Sequence, residues 1–467
     1  MRCLLMLLIL CSYLPGFGQP PMPEASPIPP LQEHVVITDI EISGNSRTQE
    51  KVILRELSFE PGQSIRADSI NALIELNKSR LATSALFTDY QINIDTLNPE
   101  QIKVGIVVKE RWYIWPEVDL QLADRNFNVW WKEHDRDLNR AIIGLRLNHR
   151  NFRGRNERLV VTSKIGYRQE FSVSYVKPNI DREQRHGLGF LVGVSKANEI
   201  YYMTDSNKLV FHKNKSGFIT NTYQGSVSYS YRPAYSTVHQ FRLTYKHTEV
   251  ADTVLALNQD YILEESGTLN FLELSYRVDV NKTDNWHYPL RGSKLVAQTF
   301  ALAGLKGMDF QGYATLEAGH FRHLKGKWYT SAIFRGKISL PEWQPYILRE
   351  ALGNKYNYIR GYEYYVIDGS QFGLVRTNLK HELLNVNLRN IPFKYLPVLP
   401  VRIYPKVFSD VGYVYNRFPG NSFLNNKMLY SAGLGVDIFT AYDLKVRVEY
   451  AINHMGQKGL FLHFVSE

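Results

Sequence analysis
The chain has 467 residues, 55 Lys and Arg against 45 Asp and Glu, a net charge of +10, and 44% hydrophobic residues. Its two cysteines, Cys3 and Cys11, fall in one N-terminal apolar run, which excludes a disulfide framework or thiol chemistry elsewhere. Beyond that run no apolar stretch reaches the ~18 residues a membrane helix needs. A basic chain invites nucleic acid as a partner, but these basic residues are spread along strand-like runs. Acidic lipid headgroups and internal charge pairing explain the excess better, and no nucleic-acid partner is expected.

In chain order, Arg2, the apolar residues 3–10 and the small-residue exit Gly16-Phe17-Gly18 make residues 1–18 a signal peptide, cleaved after Gly18. A lipoprotein reading at Cys11 lacks the small residues expected before the cysteine. Losing Arg2 takes the charge from +10 to +9. Residues 19–33 hold Pro20, Pro21, Pro23, Pro27, Pro29 and Pro30, an extended and semi-rigid spacer.

Residues 34–112 read as a compact α+β unit. A strand at 35–42 turns at Gly44-Asn45 into a helix over 48–57, with Thr48 as its cap and Glu50 in its first turn. Pro61-Gly62 breaks the chain. The spacing of Ile70, Leu73, Ile74 and Leu81 then predicts a helix over 66–84, interrupted by Asn77. Strands at 90–94 and 102–108 flank Asn98-Pro99, giving the order βααββ. Residues 113–138 are read as a connector.

From 139 to 467 the pattern has period two. Leu444, Val446, Val448, Tyr450 and Ile452 alternate with Lys445, Arg447 and Glu449, and similar runs occur at 272–280 and 430–438. Runs of about ten residues suit tilted strands crossing a bilayer, and charges on the second face are cheap where it lines water. A soluble sandwich would use shorter strands. Sixteen runs are expected: 140–149, 157–167, 169–178, 186–198, 205–213, 217–231, 236–250, 266–281, 292–303, 309–323, 327–340, 369–386, 401–416, 427–439, 442–453 and 458–466. An even count puts both barrel ends on one side. It also puts the turns at Arg168 and Thr440-Ala441 on that side, and the long links 250–266 and 341–368 on the other.

Three motifs stand out. Tyr358-Ile359-Arg360-Gly361-Tyr362 is a glycine-hinged loop with an arginine, followed by Glu382 and by Phe408-Ser409-Asp410-Val411-Gly412 on later strands. Asp284-Asn285 with Pro289 and Gly292 is turn chemistry. Gly459, Leu462 and Phe464 form a polar-then-apolar terminal strand, although the chain ends in Val465-Ser466-Glu467 instead of an aromatic residue. Taken alone, Arg360 could be a solvated loop arginine and the acids ordinary lumen carboxylates.

Together these motifs resemble the BamA/TamA-like family of outer-membrane assembly and translocation barrels, and the βααββ unit resembles a single POTRA domain. The resemblance implies a 16-stranded transmembrane antiparallel barrel with its POTRA domain in the periplasm of a Gram-negative-type bacterium. It implies a loop folded into the lumen, with Arg360 paired to Glu382 and Asp410 and bracing the wall opposite the seam. The expected seam joins residues 140–149 to 458–466. The implied work is insertion or translocation of polypeptides. The implied partners are outer-membrane lipid, unfolded clients in the periplasm and accessory subunits. Two competing readings are a two-partner secretion transporter, which typically carries two POTRA domains and a plug helix, and a passive channel.

No enzyme, cofactor or metal is expected. The chain has no G-x-S-x-G, no H-E-x-x-H and no phosphate-cradling Gly-Lys-Ser/Thr loop. His320 and His323 lie three apart on a strand-like run, hence on opposite faces.

Overall fold
The structure, a computed structural model, describes residues 32–464 except 85, 179, 182, 184, 215–216, 235, 263–265, 286–287, 306–309, 355, 390–397 and 441–444. The expected signal peptide, the spacer as far as residue 31, Ala441, Trp286, His287 and Val465-Ser466-Glu467 lie outside the described residues. Two compact units divide the chain, Met1–Arg111 and Trp112–Glu467.

In the first unit the elements are β1 (His34–Ser43), α1 (Glu50–Leu54), β2 (Ser64–Arg66), α2 (Ile70–Ser84), β3 (Phe87–Asn98) and β4 (Gln101–Glu110). The sheet order is β2-β1-β4-β3, with β1 parallel to β4. The short edge strand β2 is an addition to the expected order. Val35, Ile37, Val52, Ile53, Leu81, Ile102 and Ile106 are buried between sheet and helices. Asn77, the polar residue in the helical stripe, is fully buried and satisfied. Its amide donates to Leu73 O and Ser58 Oγ, and its carbonyl oxygen accepts from Ser58 N.

Thr48 is not the helix cap. Gln49 occupies that position, its side chain making no capping hydrogen bond to the helix, and Thr48 donates its amide and hydroxyl to Glu110. Ser46 Oγ and Arg47 N donate to the same carboxylate. Burial alone would raise the Glu110 pKa, but these donors outweigh it and hold the pKa below 4.5. A depressed carboxylate stabilises the fold above its unfolded pKa and loses that contribution as pH falls through the folded one. Urea unfolding of residues 32–111 should therefore show stability dropping between pH 7 and pH 3. Glu110→Gln should be less stable at pH 7 and flatter towards acid.

In the second unit the wall strands begin with β5 (Ile114–Leu122), β6 (Ala141–Phe152), β7 (Glu157–Gly166), β8 (Arg168–Lys177) and β9 (His186–Ala197). A hairpin of β10 (Glu199–Asp205) and β11 (Lys208–Lys213) stands apart as its own two-stranded sheet. The wall resumes with β12 (Thr220–Ala234), β13 (Thr237–Val250), β14 (Thr268–Thr283), β15 (Gly292–Gly304), β16 (Gln311–His323) and β17 (Trp328–Leu340). After two short loop strands, β18 (Glu350–Leu352) and β19 (Ile367–Asp368), come β20 (Gln371–His381) and β21 (Leu384–Arg389). Last are β22 (Val398–Tyr415), β23 (Met428–Phe439), β24 (Lys445–Asn453) and β25 (Lys458–Phe464). These strands close into an antiparallel barrel. Because β20 and β21 both pair with β22, they are halves of one bent strand, and the seventeen segments occupy sixteen positions.

Two expectations need correction. The barrel begins with β5, inside the segment read as a connector, and residues 205–213 belong to the separate hairpin. The two errors cancel in the count, but they reverse the direction of the strands over 141–197. The turn before Arg168 therefore lies at the end away from the chain's entry at Trp112, and the seam lies between β25 and β5. Outward residues such as Leu120, Leu274 and Leu434 are 76%, 54% and 60% exposed, and they form the apolar band of a lipid-facing wall.

Candidate functional site: the lumen loop and the seam
Gly361, at φ 88°, turns the loop tip. Tyr362 N donates to Ile359 O at 3.0 Å and Gly361 N to Glu363 Oε2 at 2.8 Å. Ile359 presses against the wall where Gly412 lies. A Cβ at Gly412 would come within 2.6 Å of Ile359 Cδ1, so a larger residue there would push that side chain out of its seat.

Arg360 is 2% exposed. Its amide and Nε donate to Asp410 Oδ2 at 3.0 and 2.8 Å, and its Nη2 donates to Asp410 Oδ1. Further donations go to Asn378 Oδ1 at 2.6 Å, Thr377 O at 3.2 Å and Glu449 Oε1 at 3.3 Å. The guanidinium lies over the Phe408 ring, 3.9 Å from its centroid. Gly433 leaves room for that ring, since a Cβ there would sit 2.5 Å from Phe408 Cζ. A planar fork with several partners is what lets a buried arginine keep its charge.

Glu382 is not a partner of Arg360. Its Oε2 accepts from Tyr404 OH and Asn385 Nδ2, each at 3.3 Å, beside the bend between β20 and β21. Glu449 on β24 takes that place. Around it Lys406 Nζ bonds Asp437 at 2.6 Å and Glu449 at 2.8 Å, and Arg447 Nε bonds Asp437 at 3.0 Å. Tyr288, from the turn after β14, enters the lumen and donates to Asp437 Oδ2 at 2.9 Å. The expected turn chemistry is in place below it, with Asp284 accepting from Leu290 N and Arg291 N. The sequence signal for Glu449 and Asp437 was present in their charged, inward-alternating faces. Which strand meets which needed the register.

The loop braces the wall beside the seam, not opposite it. Its contacts run from β17 and β20 through β22, β23 and β24 to β25. Asn453 donates to Gly361 O at 2.9 Å, and His463 lies 3.5 Å from Glu363 Oε1. The Tyr358 ring stacks on His463 at 5.0 Å, and Tyr364 meets Phe461 at 5.8 Å. Gly459 makes room for the Phe461 ring. Leu462 and Phe464 pair with Val448 and Val446 through the backbone.

The β25–β5 junction closes the barrel, but among the described residues it is the thinnest contact between neighbouring wall strands. The hydrogen-bond parity explains part of this. Arg150 N bonds Tyr113 O and Ala123 N bonds Arg140 O, so odd residues of β5 face β6 and even residues face the seam. Pro116 is even, so it offers the seam no N–H. On β25, Asn453 N bonds Gln457 O, which turns the backbone groups of 458, 460, 462 and 464 towards the seam.

The lumen also holds two cavities of about 1590 and 1000 Å³. The smaller is lined by Glu117, Asp119, Arg146, Arg158 and Lys164. Among the described residues no group of three or more His, Cys, Asp or Glu could hold a metal ion.

Two family descriptions match the chain, POTRA (surface antigen variable number repeat) over residues 35–111 and the Omp85 superfamily domain over 151–374. Among solved structures, BamA from Haemophilus ducreyi lacking POTRA domains 1–3 is similar, with a TM-score of 0.62 and 13% identity. The match covers 92% of this chain and 83% of that one. Residues 35–111 and 151–374 carry the POTRA and Omp85 superfamily domains of a BamA/TamA-like protein. CdiB from Acinetobacter baumannii aligns with a TM-score of 0.52 at 14% identity over 92% of this chain and 73% of that one. CdiB from Escherichia coli aligns at 0.55 and 10% over 92% and 75%. No curated protein sequence matches. As an Omp85 protein it resides in the outer membrane of a Gram-negative bacterium with the POTRA domain in the periplasm. Its role there is the insertion or translocation of polypeptides.

Proposed function
We propose that this Omp85 protein inserts client polypeptides into the outer membrane by opening the β25–β5 seam, and that it does so without covalent chemistry. The observation that supports the reading is the seam itself. Backbone polar groups in a bilayer must be paired, yet among the described residues this junction is the thinnest in the wall, and Pro116 offers it no N–H. An edge with unpaired groups templates an incoming strand by β-augmentation. The loop tip, locked by Arg360 to β22 and β24, holds the neighbouring wall in register while the junction parts. The partners are unfolded periplasmic clients, membrane lipid around the open edge, and accessory subunits.

The likeness to CdiB and the two lumen cavities favour a second reading, passage of one polypeptide through the lumen. Depletion in the native bacterium separates the two. Loss of many folded outer-membrane barrels is expected for the insertase. Loss of a single exported polypeptide supports the transporter, and altered solute permeability alone supports a channel and overturns both.

A further inference from the structure
We propose that helix α3 (Phe127–Glu133), in the link between β5 and β6, is a built-in guard that occupies the strand-accepting edge of β25 and is held there by the lumen loop. The inference rests on the seam reading above and deepens it.

Asn128 Nδ2 donates to Leu460 O at 2.9 Å, and Asn128 Oδ1 accepts from Leu462 N at 3.0 Å. Both backbone groups belong to the seam-facing set of β25. Bonds to the carbonyl of residue j−1 and the N–H of residue j+1 are those a parallel strand residue would make around Phe461. The side-chain amide thus imitates one rung of a neighbouring strand, and no incoming strand can pair at 460–462 until it leaves.

The guard's position is set from the lumen side. Arg125 donates to four carbonyls of the loop: Tyr365 O at 2.8 Å, Tyr364 O at 3.0 Å, and Gly353 O and Glu363 O at 3.2 Å each. Asn126 donates to Glu363 O at 2.8 Å while its Oδ1 caps α3 through Val129 N at 2.9 Å. One residue therefore starts the helix and fastens it to the loop that carries Arg360. Three closely spaced anchors, Arg125, Asn126 and Asn128, tie the loop to the edge, so displacing the loop withdraws the guard and uncovers β25.

Hydrogen exchange on the full-length protein in detergent micelles tests this, with wild type, Asn128→Ala and Arg125→Lys compared. Asn128→Ala should speed exchange of the 458–464 backbone about tenfold, the worth of one hydrogen bond to local opening. Arg125→Lys keeps the charge, loses the fork and does not touch β25, yet it should speed exchange there as well. Protection of β12–β16 should be unchanged in both, which shows an intact barrel. Unchanged exchange at 458–464 in Asn128→Ala would overturn the guard, and unchanged exchange there in Arg125→Lys would overturn its tie to the loop. Faster exchange in both variants with unaltered client insertion would leave the guard standing and sink the insertase reading instead.

Discussion

Arg360→Ala is expected to destabilise the barrel by about 3–5 kcal/mol, the cost of leaving buried carboxylates without their cation. Asp410 and Glu449 are fully buried, and Asp410 takes three of the bonds that Arg360 makes. Lys406 and Arg447 would still face Glu449, while Asp410 would keep only the longer contact to Arg376 Nε at 3.9 Å and so carries most of the penalty. Heat-dependent unfolding in detergent, followed by gel mobility, should shift down on the order of 10 °C. Arg360→Lys should recover part of the loss, because an ammonium keeps the charge but cannot make the forked contact. Arg360→Ala combined with Asp410→Asn should be milder than Arg360→Ala alone, since the second change removes the orphaned charge. An unchanged unfolding temperature in Arg360→Ala would remove the residue from the site.

The sequence carried the alternation of the wall, the turn chemistry at Asp284 and Asn285, and the pairing of a loop arginine with Asp410. It misled at β5, where Trp115-Pro116-Glu117 interrupts the period-two pattern and proline argues against a strand. Proline is tolerated there because its missing N–H would face the thin β25–β5 junction and not the β6 ladder, a tertiary fact invisible along the chain. Residues 208–213 alternate well enough to look like a wall strand, but they pair with 199–205 instead. Glu382 lost to Glu449 for a similar reason. Both lie on inward faces, and only the bend after His381 carries Glu382 away from the loop tip. The anchors Arg125, Asn126 and Asn128 sit in a stretch with no motif, and their partners are more than two hundred residues away in sequence.

The seam is where the largest functional effect is expected. β5 and β25 run antiparallel, and Val118, Leu120 and Leu460 point outward, exposed by 72%, 76% and 64%. Both native cysteines lie in the expected signal peptide, so one cysteine on β5 and one on β25 can be placed without a competing native thiol. A disulfide there would leave the fold intact and fix the junction shut. The direct measurement is the amount of newly folded outer-membrane barrel protein in cells that depend on the cross-linked chain, before and after reductant. The account predicts that assembly stops while the bond is formed and resumes when it is reduced. Assembly at the same rate in both states would contradict it.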